Sequence, residues 1–375
     1  MKILFVSLGC DKNLVDSEKM LGMLQEKGYT FTDDEAEADV VVVNTCCFIG
    51  DAKEESINTL LQMGELKDSG QIKALIAAGC LAQRYREEIQ KEIPQVDAII
   101  GTTAIDEIVA ALEEILAGQK QNHYEDINAA PVTETNRVVT TGGHFAYLKI
   151  AEGCDKHCTY CIIPKVRGNY RSVPKESLLK EATELADKGV RELILVAQET
   201  TLYGMDLYGK KELPRLLHEL AQIPGIYWIR ILYCYPEEIT DELIDAIAAE
   251  PKVCNYLDIP IQHASDNVLK RMGRRTDQAE LRAIIGKLRE KIPDICLRTT
   301  LISGFPGETQ EDFEELYRFV NEMEFDRLGV FPYSQEEDTP AATMEDQVPQ
   351  EVKEFRRDEL MELQQAIAFD KAEDM

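Results

Sequence analysis

The sequence has 375 residues, of which 44% are hydrophobic and 29% charged, as expected of a globular protein with two or three domains. It carries 41 Lys and Arg residues against 69 Asp and Glu residues, so its formal net charge is −28, which argues against a protein that binds nucleic acid unaided. No apolar run approaches the roughly 20 residues of a membrane span and no secretory signal precedes the first strand signal, so we expect a cytoplasmic protein.

Residues 1–118 alternate strand and helix signals. Continuous apolar runs predict buried parallel strands at Lys2–Ser7, Asp39–Asn44, Lys73–Ala78 and Ala98–Gly101. Asp16 and Ser17 supply N-cap chemistry for a first helix, and Asp51 with Glu54 forms a D-x-x-E capping signature for a second. The alternation predicts an α/β domain with an open parallel, flavodoxin-like sheet and helices on both faces.

The rest of the chain divides into three predicted parts. Residues 119–143 are polar and lack periodicity, so we expect a linker. Residues 144–334 alternate again, with candidate strands at Phe145–Ile150, Glu192–Ala197, Trp228–Tyr233, Tyr256–Ile261, Cys296–Ile302 and Arg327–Tyr333. Six βα units are too few for the eight-stranded barrel, so we expect an open, partial (β/α)6 barrel. Residues 335–375 are predicted to form an acidic segment followed by a helix.

Three of the ten cysteines form a compact motif directly after the first barrel strand. Cys154, Cys158 and Cys161 have the spacing C-x3-C-x2-C, and we call them the local triad. Functional residues of barrel-type sheets lie at the carboxyl ends of the strands. Three thiolates on one loop suit a 4Fe-4S cluster that leaves its fourth iron open to substrate or cofactor. The alternative is a zinc site completed by His157 or by a distant residue.

Three further cysteines each follow a predicted strand of the first domain. Cys10, Cys46 and Cys80, which we call the strand-end triad, stand after the first, second and third of these strands. The carboxyl ends of neighbouring parallel strands line one edge of a sheet, so we expect the three thiols to converge there and to hold a second cluster. The alternative is three buried, unreactive cysteines. The other four cysteines are interpreted as core or bystander residues: Cys47, Cys234, Cys254 and Cys296.

Both triads lie in motifs that resemble those of the methylthiotransferase family of radical S-adenosylmethionine enzymes. The motifs are GCDKNLVDSE at 9–18, NTC at 44–46, AGCLAQRY at 78–85 and GCDKHCTYCIIPKVRG at 153–168. The resemblance covers nearly the whole chain and implies an N-terminal methylthiotransferase domain followed by a radical S-adenosylmethionine barrel. The family normally ends in a small TRAM β-barrel, which we expect to be absent here because no run of short strand signals follows residue 334.

The family has one branch that modifies tRNA adenosines and another that modifies an aspartate of a ribosomal protein. LGCDKNLVDSE resembles the second branch, although Asp11 stands where that pattern usually has proline. DIPIQHAS at 258–265, AQETTLYG at 197–204 and PYSQEEDTPA at 332–341 resemble the same branch. The resemblance therefore implies methylthiolation of the β-carbon of an aspartate in ribosomal protein S-twelve, with tRNA adenosine as the alternative substrate.

The resemblance also implies cofactors and their contacts. It implies two 4Fe-4S clusters, one on each triad, and S-adenosylmethionine at the open iron of the local triad, so no acid or base side chain is assigned to catalysis. Tyr160 is expected to lie against the adenine. Glu199 is expected to hold the methionine amino group, unless it is only a strand-end carboxylate. Gln262, His263 and Gly304 are further expected contacts, although His263 is equally explained as a hydrogen-bonded loop histidine and Gly304 as a turn glycine.

The expected partner is ribosomal protein S-twelve or the small ribosomal subunit, since a basic protein suits a chain with a net charge of −28. A flavodoxin or ferredoxin is the expected electron donor, and we expect a monomer that does not bind the membrane. Lys12 and Asn13 are expected to order the loop that carries Cys10. A non-catalytic iron–sulfur or zinc-binding module is the alternative of a different class.

Overall fold

The structure is a computed structural model that describes residues 1–373. The chain divides into two compact units, which are described separately. The first unit comprises residues 1–155 and 162–181. The second unit comprises residues 156–161 and the described residues from 182 onward.

Thirteen strands and thirteen α-helices span the described residues. The strands are β1 (Lys2–Ser7), β2 (Thr30–Thr32), β3 (Val40–Thr45), β4 (Ala74–Ala78), β5 (Ala98–Ile100), β6 (Phe145–Lys149), β7 (Ala151–Glu152), β8 (Arg171–Ser172), β9 (Glu192–Val196), β10 (Trp228–Ile231), β11 (Val253–Asp258), β12 (Cys296–Ser303) and β13 (Arg327–Pro332). The helices are α1 (Asp11–Glu26), α2 (Gly50–Asp68), α3 (Gly79–Glu92), α4 (Ile108–Leu116), α5 (Ile163–Arg167), α6 (Lys175–Asp187), α7 (Met205–Tyr208), α8 (Leu213–Ala221), α9 (Asp241–Ala249), α10 (Asp266–Arg271), α11 (Gln278–Lys291), α12 (Gln310–Met323) and α13 (Gln350–Glu373).

The first unit contains a five-stranded sheet in the order β2-β1-β3-β4-β5. All four pairs of neighbouring strands are parallel. This is the flavodoxin-like order, in which the strand order reverses between β1 and β3. The predicted open parallel sheet is therefore confirmed. In such sheets ligands bind outside the carboxyl ends of the strands at the reversal point, which here is the end of β1 and β3.

Both faces of this sheet are covered, as a parallel sheet requires. Along β3, Val40 and Val42 belong to a core that includes residues of α1 and α4. Val41 and Val43 belong to a second core, on the other face, that includes residues of α2 and α3. Successive valines face opposite sides of the sheet because side chains along a strand alternate with a period of two. Full burial of each valine side chain contributes about 1.5–3 kcal/mol to the free energy of unfolding.

A six-stranded sheet has the order β13-β12-β11-β10-β9-β6. The consecutive pairs from β9 to β13 are parallel. An open sheet of six strands, separated along the chain by helices, confirms the predicted partial barrel. The strand predicted at Tyr256–Ile261 begins earlier, as β11, and ends before Pro260, which has no backbone N–H to donate to a neighbouring strand.

Two predicted helix starts are wrong. Helix α1 begins at Asp11 with Cys10 as its N-cap residue, so Asp16 and Ser17 lie inside the helix. Both are buried, and their side chains bond to other buried polar groups instead of capping α1. Helix α2 begins one residue before Asp51, and no side chain caps it.

The sequence analysis also missed three short strands, β2, β7 and β8, which have only two or three residues each. Strands of this length carry too few positions to show a period of two. The C-terminal helix is present as α13. None of the helices formed by residues 1–373 combines the length and the apolar composition that a membrane span needs.

Candidate active site

The structure places the three cysteines of the strand-end triad along one edge of the five-stranded sheet. Cys10 is the N-cap residue of α1, Cys46 directly follows β3, and Cys80 is the second residue of α3, after β4. Burial raises the pKa of the Cys46 thiol, and the nearby Cys10 thiol raises it further. Burial raises the pKa of Cys80 to about 12, Arg167 lowers it, and Cys47, Cys46 and Cys10 raise it further. The three cysteines of the triad therefore stand at the carboxyl ends of neighbouring parallel strands, at the edge where such sheets bind ligands.

Two glycines allow close packing of the chain at this edge of the sheet. Gly9 has a φ of +88°, and a side chain there would place its Cβ 2.7 Å from Cys46 Cβ. Gly79, before Cys80, has a φ of +89°, and a Cβ there would meet the Asn44 side chain and the Thr45 backbone. Both positions need a residue without a Cβ, for backbone conformation and for space.

Asn13 ties the strand ends to each other. Its Nδ2 donates to the backbone oxygens of Leu8 and Thr45, both at 3.0 Å. Asn44 Nδ2 in turn donates to the Asn13 backbone oxygen at 2.9 Å. The predicted ordering role of Asn13 is thus supported by bonds to the ends of β1 and β3. Lys12, also predicted to order this loop, forms an ion pair with Asp11 at 2.9 Å.

Four buried charged side chains, which we call the buried quartet, lie beside the strand-end triad. Arg167 Nη1 donates to Asp16 Oδ2 at 2.7 Å and to Glu152 Oε2 at 3.2 Å. Lys149 Nζ donates to Glu152 Oε2 at 2.6 Å and also to Asp16. Arg167 Nε lies 3.3 Å from Cys80 Sγ. Two cations thus balance two carboxylates, and one cation faces the triad.

The cysteines of the local triad take part in backbone hydrogen bonds. Cys154 belongs to the first unit, where its N–H donates to the Gly168 backbone oxygen at 3.1 Å. Cys158 and Cys161 belong to the second unit, where Cys161 N–H donates to the Cys158 oxygen at 3.0 Å. Cys158 Sγ lies 3.1 Å from Tyr235 Oη. Each cysteine of the loop is therefore held by a backbone bond.

The residues of both triads fit 4Fe-4S clusters by donor chemistry, since each triad offers three sulfur ligands on one loop or one sheet edge. Within residues 1–373, no three His, Cys, Asp or Glu side chains are arranged around one point as ligands of a single ion. A 4Fe-4S cluster does not need that arrangement, because each cysteine binds a different iron.

Glu199 follows β9 and is fully buried. Its Oε1 accepts from Thr201 N at 3.0 Å and from the Thr201 hydroxyl. Its Oε2 has no hydrogen-bond partner among the described residues. Burial raises the pKa of Glu199 to about 7, although Thr201 and Lys156 lower it. A buried carboxylate oxygen without a partner fits a ligand with a cationic donor, such as an amino group.

Tyr160 packs edge-on against Phe305, with ring centroids 6.3 Å apart at an interplanar angle of 83°. Burial and the neighbouring Cys158 raise the pKa of the Tyr160 phenol. Phe305 directly follows Gly304, so the aromatic pair joins the local-triad loop to the loop after β12. The space beside Gly304 is occupied by Lys353 of α13, since a Cβ at Gly304 would lie 2.9 Å from Lys353 Cβ. Packing of α13 therefore already explains why residue 304 is a glycine.

His263 is completely buried behind the Gly304 loop. Its Nδ1 accepts from Ser265 N at 2.9 Å, so the proton of the neutral ring lies on Nε2. His263 Nε2 lies 3.3 Å from Glu308 Oε2, which accepts from Gly304 N at 2.8 Å. Arg356 of α13 donates to Glu308 Oε1 at 2.7 Å. These contacts support a positioning role for His263.

Gln262 directly precedes His263 and has a φ of +71°. Its backbone N–H donates to Thr300 at 2.9 Å, and its oxygen accepts from Ile302 at 2.8 Å. The backbone of Gln262 is therefore fixed beside β12, at the carboxyl end of the sheet.

Sequence reasoning missed the charged and phenolic partners of the cysteines. Arg167 stands in the KVRG end of the local-triad motif, which was the available signal, whereas Asp16 was interpreted as a helix cap. Tyr235 follows β10 in the segment LYCYP and carries no motif of its own. Arg356 lies in the C-terminal helix, outside every quoted motif.

Comparison with known proteins identifies the family. Residues 2–101 match the family described as uncharacterized protein family UPF0004, and residues 148–320 match the radical SAM superfamily. The chain is 64% identical over 375 residues to ribosomal protein uS12 methylthiotransferase RimO of Lachnoclostridium phytofermentans, an alignment that covers 100% of this chain and 85% of that relative. It is 51% identical over 362 residues to the protein of the same name from Clostridium tetani, covering 96% of this chain and 81% of that relative.

Solved structures share the fold at low sequence identity. The radical S-adenosylmethionine methyltransferase TsrM from Kitasatospora setae, with cobalamin and a 4Fe-4S cluster bound, has a TM-score of 0.63 at 14% identity. That alignment covers 91% of this chain and 76% of TsrM. The cobalamin-dependent S-adenosylmethionine radical enzyme OxsB has a TM-score of 0.59 at 13% identity, covering 98% of this chain and 56% of OxsB. These likenesses bear on the fold alone.

The predicted membership of the ribosomal-protein branch is confirmed by these relatives, which favour neither the tRNA branch nor a non-catalytic module. The predicted cofactors, two 4Fe-4S clusters and S-adenosylmethionine, are those of the family. The chain belongs to the RimO family of ribosomal protein uS12 methylthiotransferases, which are radical S-adenosylmethionine enzymes.

Proposed function

We propose that this chain methylthiolates the β-carbon of an aspartate in ribosomal protein uS12. The strand-end triad of Cys10, Cys46 and Cys80 holds one 4Fe-4S cluster, and the local triad of Cys154, Cys158 and Cys161 holds the other. The observation that carries this proposal is the position of three cysteines directly after β1, β3 and β4, at one edge of a parallel sheet, in a chain that also has the complete C-x3-C-x2-C motif.

The β-carbon of an aspartate carries C–H bonds that no side-chain base readily deprotonates. When bound, the clusters and S-adenosylmethionine supply radical chemistry at that carbon, together with the sulfur and the methyl group. The chain itself supplies six thiols, holds their loops by backbone bonds, and keeps a carboxylate oxygen of Glu199 unpaired.

Three residues are proposed as contacts of S-adenosylmethionine: Tyr160 with the adenine, Glu199 with the amino group, and Gln262 at the carboxyl end of the sheet. His263 and Gly304 are proposed to act without touching S-adenosylmethionine. They hold the loop after β12 through Glu308, which is bonded to Gly304 and lies beside His263. These two residues are therefore positioning residues in our proposal.

The proposed partner is uS12, which is part of the name of the relatives, alone or within the small ribosomal subunit. A net charge of −28 suits a basic protein substrate, because opposite charge accelerates encounter. We further propose a flavodoxin or ferredoxin as electron donor, a monomeric enzyme without membrane attachment, and a location in the cytoplasm.

Product analysis tests the substrate. The anaerobically reconstituted chain is incubated with S-adenosylmethionine, a reductant, and either small ribosomal subunits or tRNA. We expect a methylthio group on one aspartate of uS12 in the peptide mass spectrum. A methylthiolated nucleoside without the peptide product would overturn the proposal.

Two cysteine variants provide the matched comparison for this experiment. Cys46→Ala removes a proposed ligand, and we expect it to make no methylthiolated peptide. Cys254→Ala removes a partly buried cysteine of β11, and we expect its product yield to equal that of the wild type. Equal yields from the two variants would contradict the assignment of Cys46.

A further inference from the structure

The buried quartet contains two cations that share the same two carboxylates but differ in one contact. Lys149 and Arg167 both bond to Asp16 and Glu152. Only Arg167 also reaches a cysteine, with its Nε 3.3 Å from Cys80 Sγ. Two cations and two carboxylates already give the buried quartet a net charge of zero. Charge balance therefore does not explain why Arg167 also contacts the sulfur of Cys80.

The direction of the Arg167 side chain is fixed by three different partners. Its Nη1 bonds to Asp16 and Glu152, and its Nη2 donates to Asn13 Oδ1. A guanidinium is planar and rigid, so these bonds also determine where the Nε–H points. Arg167 is 2% exposed, so water does not compete for its donors.

The contact also joins two sequence motifs. Arg167 belongs to the segment that carries the local triad, whereas Cys80 is a member of the strand-end triad and lies 87 positions earlier. Both residues belong to the first unit. Arg167, from the motif that contains the local triad, thus contacts a cysteine of the strand-end triad.

A hydrogen-bond donor beside Cys80 Sγ affects the reduction potential of a cluster bound to that sulfur. Reduction adds a negative charge to the cluster and its thiolates. A hydrogen bond to a ligating sulfur and a nearby fixed cation both stabilise the reduced form more than the oxidised form, and so raise the reduction potential. Such contacts around the ligands are an established means of tuning metal sites.

We propose that Arg167 is a positioning residue that donates a hydrogen bond to the Cys80 thiolate and thereby raises the reduction potential of the cluster on the strand-end triad. This inference rests on the proposed function, because it requires Cys80 to be a cluster ligand.

The experiment uses the full chain with Cys154→Ala, Cys158→Ala and Cys161→Ala, so that only the strand-end triad can bind a cluster. Arg167→Met and Lys149→Met are compared in this background. Both remove one cation from the buried quartet, but only Arg167→Met removes the donor to sulfur. After anaerobic reconstitution, potentiometric titration followed by absorbance and electron paramagnetic resonance gives the midpoint potential.

We expect Arg167→Met to shift the potential to more negative values, and Lys149→Met to shift it clearly less. An unchanged or more positive potential in Arg167→Met, or an equal shift in Lys149→Met, would overturn the inference. If Arg167→Met does not fold or takes up no iron, the midpoint potential of Arg167→Lys is compared with that of the background variant instead. Lysine keeps the positive charge but lacks the Nε donor. A lowered potential in Arg167→Lys supports the inference, and an unchanged one overturns it.

The iron content of the background variant separates the two proposals. If that variant binds no iron while Arg167 is intact, the assignment of the strand-end triad is wrong, and the inference falls with it. If it binds about four irons and Arg167→Met leaves the potential unchanged, only the inference about Arg167 is wrong.

Discussion

The hydroxyl oxygen of Tyr235 lies 3.1 Å from the sulfur of Cys158. Two cations hold the Tyr235 ring, with Arg274 Cζ 4.2 Å and Lys156 Nζ 5.1 Å from its centroid. When Cys158 is a thiolate, the hydroxyl must be the donor of this bond. A side-chain donor thus lies beside a cysteine sulfur in both triads: Tyr235 beside Cys158 of the local triad, and Arg167 beside Cys80 of the strand-end triad.

Tyr235→Phe removes this hydroxyl and keeps the ring on which Arg274 and Lys156 pack. We expect normal iron content and a lower potential of the cluster on the local triad. If the lost bond makes reduction about 1 kcal/mol less favourable, cleavage of S-adenosylmethionine under limiting reductant slows roughly fivefold. Tyr256→Phe, in β11, is the matched control, and a similar loss in both variants would contradict a specific role for Tyr235.

The raised pKa of Glu199 makes the stability of the unliganded chain depend on pH. Burial raises this pKa to about 7 from its ordinary value of 4.5, so the folded chain binds the proton more tightly than the unfolded chain. Binding of this proton therefore stabilises the folded chain. The stabilisation is fully present below the ordinary pKa of 4.5 and is lost as the pH rises through about 7. We expect Glu199→Gln to exceed the wild type in stability by about 2–3 kcal/mol at high pH, with no such gain at about pH 4.

Chemical denaturation of both proteins across this pH range measures the difference. The same variant is expected to bind S-adenosylmethionine more weakly, because the ionised Glu199 is the form that attracts an amino group. The affinity of the wild type should therefore rise as the pH increases through about 7, whereas that of Glu199→Gln should stay flat. Parallel pH profiles for the two proteins would contradict the assigned contact.

Arg356 is expected to stabilise the loop after β12 through Glu308. Arg356→Met leaves the buried Glu308 carboxylate without the cation 2.7 Å away, which costs about 3–5 kcal/mol of the free energy of unfolding. The neighbouring Arg357 is more exposed and pairs with Asp358, so Arg357→Met should change stability by less than about 0.5 kcal/mol. Urea denaturation compares the two, and equal losses would show that Glu308 does not depend on Arg356.

Gly9 is expected to matter through its contact with Cys46 and not only through its backbone conformation. Gly9→Ala meets Cys46 Cβ at 2.7 Å, whereas Gly28, with a similar φ of +85°, has no neighbour within 4 Å. Gly28→Ala should lower the free energy of unfolding by about 1 kcal/mol, because alanine disfavours a positive φ, and it should leave iron binding intact. Gly9→Ala should lower the free energy of unfolding further and reduce the iron content. Equal stability and iron content in the two variants would contradict the close approach at Gly9.

Much of the fold was predictable because parallel strands are continuous apolar runs. β1 has the predicted bounds, Lys2–Ser7, and the alternation of strands and helices indicated both sheets. The start of α1 was not predictable from local capping rules. Asp16 resembles a cap, but its partners in the structure, Lys149 and Arg167, lie 133 and 151 positions later. No local pattern records such a pairing.

The positions of the strand-end cysteines could be predicted, whereas their role as cluster ligands stays a prediction. Strand signals followed by Cys10, Cys46 and Cys80 indicated one sheet edge, and the three residues directly follow β1, β3 and β4. The groups that act on those cysteines were not predictable. Arg167 and Tyr235 approach sulfur through tertiary packing across 87 and 77 positions, which no local sequence pattern indicates.

The two triads are proposed to perform different steps, with cleavage of S-adenosylmethionine at the local triad and sulfur transfer at the strand-end triad. This division is tested by measuring, in one reaction with small ribosomal subunits, both the cleavage of S-adenosylmethionine and the methylthiolation of uS12. We predict that Cys154→Ala loses both activities, whereas Cys10→Ala still cleaves S-adenosylmethionine and forms no methylthiolated uS12. A normal yield of methylthiolated uS12 from Cys10→Ala would show that the strand-end triad is not needed for sulfur transfer.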